Sequence, residues 1–117
     1  MRDPASEFRS GRVEAAPGQP VTPDALAAAI RADAARMLAR DDAGAGLAVT
    51  LHDVVWSDGS LGCPRPGMMY TQALVPGWRV VVGDGRTEWI YHASRAGAWL
   101  RCPAGGAQPP LTRDVLR

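Results

Sequence analysis

Lysine and asparagine are absent from this chain of 117 residues, phenylalanine occurs once and cysteine twice. All 13 basic residues are therefore arginine, set against 12 acidic ones for a net charge of +1. So small an excess makes no global field to steer DNA, RNA or an anionic membrane, and no nucleic-acid partner is expected. Arginine, alanine, glycine and proline in quantity, without lysine, read as a GC-rich coding bias. No apolar run nears the roughly 18 residues that a membrane-spanning helix needs. The length suits one domain.

Chemistry-bearing motifs are missing too. A metal site would have to draw on His52, His92, Cys63 and Cys102, and no two of these have the short spacing of a zinc motif. No metal or cofactor is expected. Nucleophilic catalysis would need Ser57, Ser60 or Cys63 beside a histidine, with Asp53 or Asp58 to orient it. The residue types exist, but "SDGS" is ordinary turn composition and no elbow motif surrounds either serine. "GDG" lacks the longer glycine run and following helix of a phosphate loop. No catalytic residue is assigned, and a non-enzyme is expected.

What is present begins with "MRDPASEFRSGR". Asp-Pro, Glu-Phe and Arg-Ser are what common cloning sites encode when read through, so residues 1–12 are expected to be a cloning remnant outside the fold. A natural disordered terminus is the alternative. Setting the segment aside removes three Arg, one Asp and one Glu and leaves ten residues of each sign. A replaced start would also hide an export signal. Residues 13–21 read as linker.

The clearest element is "TPDALAAAIRADAARMLAR". Thr22 is a good N-cap, Pro23 suits the first helical position and Asp24 sits by the positive helix end. Leu26, Ile30, Ala34, Met37 and Leu38 make one apolar stripe, with Arg31, Asp33, Arg36 and Arg40 mostly off it. "DDAGAG" should stop the helix near residue 41. "GLAVTLHDVVW" then alternates as a half-buried strand, with Leu47, Val49, Leu51 and Val55 on one side and Thr50 and His52 on the other. "WRVVVGDGRTEWIYH" is a hairpin turning at Gly83-Asp84-Gly85. "GAWLRC" supplies a short last strand, "MMYTQAL" is a candidate for another, and residues 103–117 are expected to be a mobile tail.

Strands that follow one helix predict an α+β domain over residues 22–102, the helix lying on a small antiparallel sheet of three to five strands. A domain that small gains from a covalent staple. Cys63 and Cys102 are expected to form a disulfide, which would stabilise by about 4 kcal/mol and imply an oxidising compartment. Two free buried thiols in a reducing compartment are the alternative.

Between the strands lies "WSDGSLGCPRPGMMYTQ". Together with "ALVPGWRVVV", "WIYH" and a late cysteine, it resembles a group of small uncharacterised exported bacterial proteins, often lipoproteins. The matching positions are Trp56, Asp58, Ser60, Leu61, Gly62, Cys63, Pro64, Pro66 and Gly67, then Tyr70, Gln72, Gly77, Tyr91, His92 and Cys102. Trp89 departs from a more usual tyrosine. The resemblance covers residues 45–102. It implies export, to the periplasm, the outer membrane or the medium, and a paired-cysteine domain; it implies no activity.

The expected function is a non-enzymatic binding or structural module of the bacterial envelope, acting as a monomer on an unidentified envelope or host protein. Its contact residues would be Asp58, Ser60, Arg65, Met68 and Tyr70. Pro64 and Pro66 fix φ about Arg65 and brace the loop. A protease inhibitor presenting Cys63-Pro64-Arg65-Pro66 is the alternative.

Overall fold

Thr22 starts the helix as its chemistry requires: its backbone is extended at φ −89° and ψ 151°, and its hydroxyl accepts the Ala25 amide at 3.1 Å. In the computed structural model, which describes residues 7–42, 44–103 and 107–110, this helix, α1, spans Pro23–Met37. It ends earlier than "DDAGAG" suggests. The amides of Leu38 and Ala39 bond back to Ala34 and Arg36, and Ala39 turns left-handed at φ 55°.

Five strands make one antiparallel sheet: β1 Arg9–Arg12, β2 Ala48–Trp56, β3 Val75–Gly83, β4 Glu88–Ser94 and β5 Ala98–Arg101, in the order β1-β5-β4-β3-β2. Four are a meander of neighbours in sequence, and β1 closes the far edge against β5. The β3–β4 turn is held by Asp84, whose carboxylate accepts the amides of Arg86 and Thr87, each at 2.8 Å. Gly85 alone of its two glycines takes a positive φ, 95°.

Alternation gives the sheet two faces. Against α1 lie Val80 and Val82 of β3, Trp89, Tyr91 and Ala93 of β4, and Trp99 of β5, meeting Leu26, Ile30, Ala34 and Met37. The other face carries a second, smaller core of Val54, Trp56 and Leu61. Strand β2 therefore changes its buried side along its length: Val49 and Leu51 pack toward the helix, while Val54 and Trp56 bury on the reverse. Trp56 fits there because Gly77 offers no side chain; a Cβ at Gly77 would overlap the Ala93 carbonyl.

Three expectations need correction. Residues 9–12 belong to the sheet, so the ordered fold reaches outside 22–102; residues 1–6 lie outside the described ones. Asp33 is not off the apolar stripe but 4% exposed, because Arg9 grips its two oxygens at 2.7 and 2.9 Å and the Tyr91 hydroxyl donates to it at 2.8 Å. "MMYTQAL" forms no strand, since β2 and β3 already pair directly from Trp56↔Val75 onward. The expected tail lies partly outside the described residues, but Gln108 is tied back to the Gly62 carbonyl at 2.7 Å.

Candidate functional site

The segment from Ser57 to Leu74 joins β2 to β3 and folds over the second sheet face. Its first half is a chain of local turns. The Asp58 carboxylate accepts the Ser60 amide at 2.9 Å, and the Ser60 carbonyl accepts the Cys63 amide at 3.0 Å. Leu61 and Gly62 both turn left-handed, at φ 55° and 76°, which drops Leu61 into the core. Gly62 is the residue the place demands, because a Cβ would meet the Gln108 carbonyl at 2.7 Å and the Trp56 ring at 2.9 Å.

Cys63 and Cys102 form the disulfide, with Cα atoms 5.7 Å apart. The bridge fixes the middle of the loop to the residue after β5. Beyond it the chain makes a second turn, with the Met68 amide donating to the Arg65 carbonyl at 3.2 Å and Gly67 at φ 80°. Pro at the second position and Gly at the third suit that geometry. The Arg65 amide donates to the Tyr70 hydroxyl at 3.0 Å, and the Gly59 amide returns to the Thr71 carbonyl at 2.9 Å. The loop is ordered by these bonds.

The five expected contact residues part company here. Arg65 and Met68 project outward, Tyr70 is half-buried and braces Arg65, Asp58 shapes a turn, and Ser60 is only 3% exposed. Hydrogen bonds from the Ser60 hydroxyl and amide hold the Asp58 carboxyl below its usual range. Leu61 anchors the loop in the second core. Met68 is 57% exposed, and Met69 and Leu74, which the sequence did not single out, are 94% and 60% exposed. The Arg65 guanidinium lies over the Phe8 ring, 4.2 Å from its centroid.

Beneath the loop, His92 stacks on Trp56 with ring centroids 4.4 Å apart. Its Nδ1 lies 2.6 Å from the Leu61 carbonyl, which only accepts, so Nδ1 carries the hydrogen. Burial, then the nearby Arg79 charge, lowers its pKa against that hydrogen bond, and the ring is neutral at pH 7. The Trp56 indole donates to the Ala93 carbonyl at 3.0 Å. These contacts make His92 a pillar of the second core. Cys63 spends its sulfur in the bridge and offers no thiolate. Among the described residues, no three His, Cys, Asp or Glu side chains come together as metal ligands would.

What the arrangement can do is present side chains. A braced backbone exposes one arginine and three large apolar side chains on one loop.

A family model described as a domain of unknown function, DUF8738, matches residues 27–102. No curated protein and no solved structure matches the chain.

Proposed function

This chain belongs to the DUF8738 family, and we propose that it is a non-enzymatic binding module of an extracytoplasmic, oxidising compartment that recognises another protein through the loop from Arg65 to Leu74. The observation that carries this reading is the exposure of Met68, Met69 and Leu74 on a loop ordered by hydrogen bonds and by the Cys63–Cys102 bridge. Three large apolar side chains left in water along one ten-residue stretch suit a contact surface. Methionine adapts its shape to a partner, and a pre-ordered loop has little entropy left to lose on binding. The disulfide supports the compartment, since such bonds persist where thiols are not kept reduced.

The inhibitor alternative gains nothing from the geometry. A substrate-like loop leaves the main chain at its central residue free for the protease, whereas here both the amide and the carbonyl of Arg65 are engaged within the loop.

The test places a photo-reactive methionine analogue at Met69 and irradiates the folded protein in a bacterial envelope extract. A discrete protein adduct is expected, lost in a Met68→Glu chain and after reduction of the disulfide. No adduct, or one indifferent to both changes, sinks the reading.

A further inference from the structure

We propose that the outer edge of β5 is a strand-accepting site for an extended Arg-x-Gly segment of another protein, and that β1 is its displaceable occupant. This surface does not use the exposed methionines, although it adjoins their loop where Phe8 stacks on Arg65.

Strand β1 is short and lies at the sheet edge. It pairs over four residues, from Arg9↔Arg101 to Arg12↔Ala98, and none of the four is buried. No side chain within β1 is apolar; beyond the backbone ladder it is held by the Arg9 fork on Asp33 and by Arg12, which donates to the Ala96 carbonyl at 3.3 Å, and Val13, the next residue, packs partly buried on the core. Segments of this kind open locally without unfolding the rest. An edge strand left bare is a ready template for another chain, the means by which extended peptides are bound on sheet edges.

Two features make the edge selective. Alternation turns Arg9 and Gly11 toward α1. There Arg9 meets Asp33 with both arms of its guanidinium fork, at 2.7 and 2.9 Å. Asp33 is 4% exposed and otherwise has the Tyr91 hydroxyl at 2.8 Å and Arg36 at 3.5 Å. Removing the fork leaves a buried carboxylate short of charge compensation, which favours recapture of a guanidinium. Two residues on, the Trp99 indole lies across Gly11 so closely that any Cβ would overlap it. Arginine is therefore selected by charge and glycine by space, at a fixed separation. Phe8, stacked on Arg65, shows that an aromatic residue before the arginine has a place to rest. A segment whose composition reads as a cloning remnant meets these two requirements.

The experiment uses the full chain. Gly11→Val drives β1 off the edge through the clash with Trp99 while leaving the rest of the chain in place. A fluorescein-labelled peptide of sequence EFRSGRVEA, residues 7–15, is titrated against it and followed by anisotropy. The variant should bind the peptide about tenfold or more tightly than the wild type, whose tethered β1 competes at high effective concentration. Peptides carrying Arg9→Ala or Arg9→Lys should bind about tenfold less well, since the forked, charged hydrogen bonds are lost. Absence of binding to a folded variant, or equal binding of the Arg and Ala peptides, overturns the proposal. So does loss of the fold in Gly11→Val, judged by circular dichroism, because β1 would then be integral and not displaceable.

Discussion

Asp33→Asn keeps the shape of the side chain and removes its charge, which isolates the worth of the buried cluster that joins α1, β1 and β4. In the native protein the carboxylate accepts three hydrogen bonds of 2.7 to 2.9 Å, two from Arg9 and one from Tyr91. The amide can still accept from Tyr91, but it sets an NH2 group against one arm of the guanidinium. Charge-assisted bonds contribute about 1.5–3 kcal/mol. The Arg9 side chain keeps 22% of its surface in water, so the lower half of that range applies. The expected loss is about 2 kcal/mol, equivalent to about 10 °C in Tm for a domain of this size. Acid unfolding gives a second reading. Burial alone would raise the pKa of Asp33, but the hydrogen bonds from Arg9 and Tyr91 and the charges of Arg9 and Arg36 outweigh it, and the folded value lies below the ordinary one. A carboxyl depressed in this way lends stability that is fully present well above its unfolded pKa of about 3.9 and is lost as pH falls through the folded value. Urea titrations of both proteins from pH 7 to pH 2 should therefore converge toward the acid end. A constant gap across that range, or a loss at pH 7 below about 0.5 kcal/mol, refutes the argument that the ionised carboxylate is what holds the cluster.

Other consequences are simpler to check. Cys63→Ser with Cys102→Ser releases a loop closed over a sequence separation of 39 and should cost about 4 kcal/mol in denaturant unfolding; thiol titration of the unreduced, denatured wild type should find no free thiol. Gly77→Ala forces a methyl group into the Ala93 carbonyl and should destabilise by about 2 kcal/mol, with a change in Trp56 fluorescence; an unperturbed variant would mean that the two strands lie farther apart. His92, its pKa lowered chiefly by burial, refuses a proton that the unfolded chain accepts. Stability should therefore begin to decline as pH falls below about 6.5, and His92→Gln should remove that part of the slope; identical slopes from pH 7 to pH 5 argue against it.

Elements written in local chemistry could be read directly. Thr22, Pro23 and Asp24 announce the helix start, and Gly83-Asp84-Gly85 announces the hairpin, because caps and turns are satisfied by residues next to one another. The two cysteines had only each other to pair with, and a loop with Gly, Cys and two Pro in sequence was legible as a constrained turn. The same signals do not say what covers a strand. Val54 and Trp56 alternate correctly along β2, yet which face is buried at that end depends on Leu61, which returns from the loop above. His92 likewise owes its burial to the fold of another segment, and in the sequence it was only the end of a hairpin.

Asp33 marks the boundary between the two kinds of information. It lies three residues after Ile30 and four before Met37, so the spacing that defines the apolar stripe already puts it on the buried face. Its charge argued for the opposite, since a carboxylate is rarely buried unless paired. The pair was not visible, because Arg9 stands 24 residues away in a stretch that composition set outside the domain, and Tyr91 lies 58 away in β4. Spacing was the better guide. A charged residue on the apolar stripe of a docked helix reports a missing partner, and here the search for that partner leads to the strand edge where Arg9 now sits.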